Sequence, residues 1–209
     1  MRSPTDRKAL VLSALGVDAR HGASTLAVLE ETLAGRGYDV ETVDCRTVDV
    51  IPCTGCSSCG MRTPGACTVK DDMQDIFRKI VASDVLVLAT PVRFGSYCAA
   101  LKKVVDRFQP LMVPLYVLRD GEMHFQGRYD LPPLLGVGLV RDGLGPDVAA
   151  DAAESFAAAD EADAFRFLIG RLAVNIDTPH AAAAFAGGDD EAARREIEKA
   201  VDAVAGRTS

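Results

Sequence analysis

The 209 residues, 48% of them apolar, have the length of one domain (residues 1–209) and enough material for a sizeable core. The net charge of −7 is unevenly placed: residues 111–209 carry 9 Lys and Arg against 17 Asp and Glu, a balance that argues against a nucleic-acid partner. No apolar run approaches the ~20 residues of a membrane span, and the start MRSPTDRKALVLSAL runs into a strand rather than a secretion signal, so no membrane partner and a cytoplasmic location are expected.

Strand and helix signals alternate along the chain. Lys8 to Ser13 is a short apolar run of the kind found in a buried parallel strand. A helical pattern opens at Ser24 and runs to Leu33, and Gly35 and Gly37 end it. Asp39 to Cys45 alternates and predicts a second strand. Asp71 or Asp72 caps a helix reaching Ala82, with Met73, Ile76, Phe77 and Ile80 on its inner face. Asp84 to Thr90, apolar and β-branched, is the strongest strand signal.

Residues 97–108 predict a helix with Leu101, Val104, Val105 and Phe108 facing inward. Residues 109–133, with four prolines and two glycines, break the rhythm and read as an insertion at a functional edge. Leu134 to Val140 is a fourth strand, Asp147 to Leu172 an alanine-rich helix, Ala173 to Asp177 a short last strand, and Asp189 to Val204 a charged terminal helix. Repeated strand–helix units imply an α/β fold, a three-layer, doubly wound, five-stranded parallel sheet. With strand order 2-1-3-4-5, ligands bind beyond the strand ends at the switch between the first and third strands.

Three loops carry the chemistry. After the first strand comes SALGVDARHGAST, where Ser13, Ser24 and Thr25 offer hydroxyls and a helix start offers free N–H groups to a phosphate; Ser24 or Thr25 as a plain N-cap is the alternative. His21 either donates to the bound group or is an exposed loop histidine. After the third strand comes ATPVRFGSY, where Pro91 and Gly95 let the backbone bend against a flat ligand and Phe94 offers an apolar surface; a plain turn is the alternative. No GxGxxG follows the first strand, so a Rossmann dinucleotide site is poorly supported.

The third loop, within residues 50–70, holds four of the six cysteines as C-x2-C-x2-C-x7-C: Cys53, Cys56, Cys59 and Cys67. The tandem C-x2-C steps match the opening of the bacterial ferredoxin run and suit an iron–sulfur cluster better than a disulfide framework. Zinc, a disulfide between two of the four, and free redox thiols are the alternatives. Cys45 and Cys98 read as buried structural thiols. In the insertion, His124 with Phe125, Arg128 and Tyr129 forms a lid or is structural, and Arg141-Asp142-Gly143 follows the fourth strand near the site.

The segments CTGCSSCGMRTPGACTVKDDM and SDVLVLATPVRFGSYCAALKKVVDR resemble the flavodoxin-like flavoproteins of the NADPH-dependent FMN reductase type, and within them the iron–sulfur flavoprotein branch. The resemblance covers roughly residues 8 to 110. It implies FMN at the switch point, with Ser13, Ser24 and Thr25 at its phosphate and Pro91, Val92, Arg93, Phe94 and Gly95 lining the isoalloxazine. It implies a [4Fe–4S] cluster on Cys53, Cys56, Cys59 and Cys67, offset by N–H groups near Gly55, Gly60 and Gly65 and by Arg62 and Lys70. Arg93 stands where family members often carry an aromatic, so it stabilises reduced flavin or binds an acidic substrate. The resemblance also implies an oxidoreductase or electron carrier fed by NAD(P)H or ferredoxin, a small-molecule acceptor, and a homodimer or homotetramer. A cluster-free NAD(P)H-dependent FMN or quinone reductase, and a zinc-stabilised binding module, are the competing functions.

Overall fold

The computed structural model describes residues 7–16, 21–119, 121–140, 152–187 and 190–205, those of 152–159 as backbone only. Five parallel strands form the central sheet: β1 (Arg7–Ser13), β2 (Tyr38–Asp44), β3 (Val85–Arg93), β7 (Leu134–Leu139) and β8 (Ala181–Ala186). Their order is β2-β1-β3-β7-β8, the flavodoxin-like order, so the chain reverses its winding between β1 and β3. A two-residue strand, β4 (Ser96–Tyr97), pairs antiparallel with the end of β3.

Strand periodicity divides the core into two layers. Leu10, Leu12, Leu86 and Leu88 pack with α3 (Met73–Ala82), α4 (Ala99–Val105) and α5 (Ala152–Asn175). Ala9, Val11, Val85, Val87, Leu135 and Val137 face the other way, onto α1 (Gly22–Gly35) and α6 (Asp190–Ala205). Both faces of every central strand are therefore apolar, the burial that parallel strands need. Gly136 and Gly138 let α5 lie close on β7. A Cβ at Gly136 would stand 2.5 Å from the Ile169 Cγ1, and one at Gly138 would stand 3.2 Å from the Phe165 ring of α5 and 2.7 Å from the Val92 Cγ2 of β3.

Two expectations from the sequence are corrected. Ala173 to Asp177 is not a strand; it finishes α5 and the turn after it, and the fifth strand is Ala181–Ala186. The insertion at 109–133 is more than a loop. After a 3₁₀ turn at Gln109–Leu111, β5 (Met112–Arg119) and β6 (Glu122–Gly127) form an antiparallel hairpin, with a register irregularity between Val113 and Tyr116. Pro114 falls in that interval and has no N–H for the ladder. Tyr116 stacks on Phe125 across the hairpin at 4.7 Å between ring centroids. No helix among the described residues is long and apolar enough to cross a membrane.

Candidate functional site

Register fixes which loops meet. Ser13 pairs with Asp44 on one side and Ala89 on the other, so β1, β2 and β3 end at one rim. The Cys45 N–H donates to the Ser13 carbonyl at 2.7 Å, and the Ala14 N–H donates to the Ala89 carbonyl at 2.7 Å. These bonds carry the loops after β1, β2 and β3 outward from the same place.

At the β1 loop, Ser13 is buried and its Oγ accepts from the Leu15 N–H at 3.2 Å. His21 is the residue before the first turn of α1, and its Nδ1 lies 3.7 Å from the Asp190 carboxylate at the start of α6. Neither Ser24 nor Thr25 is an N-cap: both lie in the first turn, where the Ser24 Oγ donates to the His21 carbonyl at 3.2 Å and Thr25 is buried. As at any helix start, the first N–H groups of α1 are available to an anion, while the Thr25 N–H already donates to the His21 carbonyl at 3.0 Å. Residues 17–20 of this loop, and Arg141 to Gly143, lie outside the described residues.

At the β3 end, Pro91, Val92 and Arg93 belong to the strand and Phe94-Gly95 make the turn into β4. Phe94 and Gly95 have φ of 51° and 69°, the paired positive values of a type I′ hairpin. A side chain at Gly95 would collide with the Ala164 Cβ of α5. The Phe94 ring is 96% exposed while its N–H donates to the Glu161 carboxylate at 3.0 Å. Val92 is fully buried in the core, so its side chain does not line an open surface, contrary to the expectation that it lines the flavin. The Arg93 guanidinium folds back to the Val92 carbonyl at 2.9 Å.

The cysteine loop leaves β2 and returns to α3, carrying a short helical turn, α2 (Ser58–Met61). Ser57 takes φ of 57°, a left-handed conformation that is costly for a residue with a Cβ. It sits between Cys56 and Cys59. Cys53, Cys56, Cys59 and Cys67 all line one cavity of about 250 Å³, closed on its far side by Met112, Val113, Pro114 and Phe125 of the hairpin. Burial, and then the neighbouring Cys67, Cys53 and Cys56, push the Cys59 thiol up. Hydrogen bonds from Ser58, hydroxyl and then backbone, draw the exposed Cys56 thiol down to about 7. Among the described residues no three His, Cys, Asp or Glu side chains are grouped as ligands of a single metal ion.

The cation in the cavity wall is Arg107, which sequence reasoning missed; the expected Arg62 and Lys70 are exposed and do not line the cavity. Two of the three expected N–H donors are also occupied within the loop. The Gly60 N–H bonds the Ser57 carbonyl at 3.1 Å and the Gly65 N–H bonds the Cys59 carbonyl at 3.0 Å. Arg107 bonds the Asp71 carboxylate twice, at 2.8 and 3.2 Å, and the Ile51 carbonyl at 2.6 Å. Asp71 in turn accepts the Ile51 N–H at 3.0 Å and the Met73 N–H at 3.1 Å. Both feet of the loop are thereby tied to one ion pair. The signal for Arg107 was there: it follows Val104 by three residues, on the inward face of the helix expected over 97–108, although the observed α4 ends at Val105 and Arg107 lies in the turn that follows.

The remaining candidates fall outside this cavity or behave as packing. Cys45 is fully buried and burial pushes its thiol up to about 12, as a structural cysteine requires. The N–H of the half-buried Cys98 is held by the Thr90 hydroxyl at 3.1 Å. His124 is buried on β6, with Nδ1 3.0 Å from the Phe125 carbonyl, a structural placement rather than a lid.

The family model described as NADPH-dependent FMN reductase matches residues 8–144. The chain belongs to that family. An iron–sulfur flavoprotein of Methanocaldococcus jannaschii is 30% identical over 135 residues, which cover 64% of this chain and 64% of the relative. An iron–sulfur flavoprotein of Methanosarcina thermophila is 38% identical over 77 residues, covering 37% of this chain and 39% of the relative. The chain thus spans 39% to 64% of the length of these two family relatives. Among solved structures, an NAD(P)H:quinone oxidoreductase from Methanothermobacter marburgensis superposes with a TM-score of 0.68 at 15% identity, over 93% of this chain and 94% of that one. At that identity the likeness shows the family fold alone.

Proposed function

We propose that the protein is an FMN-dependent oxidoreductase with a [4Fe–4S] cluster on Cys53, Cys56, Cys59 and Cys67. The observation that carries this reading is that all four loop cysteines line one cavity, in the loop that follows the end of β2. The donor set fits the group: four sulfurs, spaced round a hollow rather than gathered on one point, suit a body held at its corners. When bound, FMN exchanges electrons in pairs or singly and the cluster singly, so together they join two-electron donors to one-electron acceptors.

The chain's own residues bind and orient. Ser13, His21, Ser24, Thr25 and the N-terminus of α1 face the flavin phosphate, while the backbone of Pro91 to Gly95 with the Phe94 ring and the Arg93 guanidinium meets the ring system. The electron donor is NAD(P)H or ferredoxin, and the acceptor is a small molecule. A homodimer or homotetramer is part of this reading, because Leu115, Tyr116, Leu118 and Met123 leave the hairpin with an exposed apolar surface.

Anaerobic purification followed by metal and flavin analysis tests the proposal. One FMN with about four iron and four sulfide per chain supports it. Flavin without iron, before and after reconstitution, points instead to the cluster-free reductase. Zinc in a protein that takes up no FMN would make it a binding module.

A further inference from the structure

One buried polar atom in the cavity wall is left over. The Arg107 Nη atoms bond Asp71 and Ile51, but Nε is buried and has no hydrogen-bond partner among the described residues. A buried donor left unpaired costs stability, and native structures keep few of them. Arg107 lines the same cavity as Cys67, and its guanidinium stands beside the Cys67 sulfur. The thiol does not complete a bond to Nε. A thiolate carrying iron is a better acceptor than a thiol, because it holds negative charge and has no hydrogen on sulfur.

We propose that Arg107 is a positioning residue for the metal centre: its Nε–H donates to the sulfur of Cys67 and sets the centre's reduction potential. This rests on the cluster reading above. Reduction adds one electron to the iron–sulfur core. No bond to Arg107 forms or breaks and no proton leaves it. The added negative charge strengthens the N–H···S hydrogen bond, so the donor favours the reduced form and raises the potential. The guanidinium charge is already matched by Asp71, so the effect belongs to the directed N–H rather than to a free cation.

Arg107→Lys separates these roles. Lysine keeps a cation for Asp71 and the Ile51 carbonyl but has a methylene where Nε–H was. Redox titration with dithionite, followed by electron paramagnetic resonance, reads the potential in wild type and R107K. Iron and sulfide content should be equal in the two. The variant's reduced-to-oxidised ratio at a fixed poise should fall about tenfold, a shift of ~59 mV to more negative potential for one electron. The flavin potential should not move. Equal cluster potentials overturn the assignment while leaving the cluster intact. Iron lost from R107K makes Arg107 only a clamp of the loop and also overturns it. A wild type without iron removes the cluster reading itself. Pulsed ENDOR on the reduced wild type in H2O and D2O gives a second measurement that needs no variant: an exchangeable proton coupled to the centre is expected, and its absence overturns the proposal.

Discussion

Arg107 and Asp71 face each other through two hydrogen bonds, of 2.8 and 3.2 Å, with their side chains 2% and 0% exposed. The pair holds the start and the end of the cysteine loop at once, since Ile51 gives Arg107 its carbonyl and Asp71 its N–H. Buried pairs of this kind add little net stability compared with apolar packing, but breaking one from a single side leaves a charge stranded. Asp71→Asn and Arg107→Met should each lower unfolding stability by about 3–5 kcal/mol. The double variant should lose clearly less than the sum of the two. Urea melts of the three variants check this, and simple additivity would mean the pair is not coupled.

The same pair predicts behaviour in acid. Burial raises the Asp71 carboxyl, but bonds from Arg107 and from the Ile51 and Met73 N–H groups outweigh it and hold the group below its ordinary value. A depressed carboxyl stabilises the fold above its unfolded pKa of about 3.9 and loses that contribution as pH falls through the folded value. The stability gap between wild type and Asp71→Asn should be constant from neutral pH to about 5 and narrow below about 4. Urea unfolding at a series of pH values measures it; a gap that narrows near neutrality would point to another group.

Replacing Cys56 with serine should abolish iron uptake while FMN remains bound, because the two sets of contacts come from different loops of the rim. Iron analysis and the flavin absorption of the same sample read both at once. Undiminished iron in Cys56→Ser would remove this residue from the ligand set.

Gly95 is held by two constraints, φ of 69° and contact with Ala164. Gly95→Ala should cost about 1–3 kcal/mol and weaken FMN, because the turn must move off α5 to make room. Gly138→Ala should cost a similar ~1–3 kcal/mol through Val92 and Phe165. Thermal melts and flavin titration distinguish them: if the β3–β4 turn contacts the flavin, Gly95→Ala loses the larger share of affinity.

The six thiols should differ in reactivity. In metal-free protein at pH 8, iodoacetamide should modify the exposed Cys53 and Cys56 well before Cys45, which is fully buried and stays protonated until about 12. Peptide mapping over time reads the order. Early labelling of Cys45 would mean that the β2 end opens.

Most of the sheet was legible because its strands are short β-branched or leucine runs bounded by turn residues. The miss at β8 has a physical cause: Ala181–Ala186 reads AAAAFA, and alanine is the strongest helix former, so only burial between β7 and α6 makes it a strand. The hairpin was hidden by its prolines, although Asp120-Gly121 between apolar runs is a hairpin signal. The four loop cysteines were legible from spacing. Arg107 and Asp71 were not joined, because their pairing depends on the turn after α4 lying beside the loop, a contact between residues 36 apart.

The excursion from Ile51 to Asp71 departs from and returns to nearly the same point, with the Asp72 N–H on the Asp49 carbonyl at 3.0 Å. Such a self-closed segment behaves as a cassette. A tight turn spliced between Asp49 and Asp72, with Arg107 replaced by an apolar residue, would leave the strands of the α/β scaffold uninterrupted, and the excised piece could be transplanted onto any sister scaffold that offers an arginine just past its fourth helix.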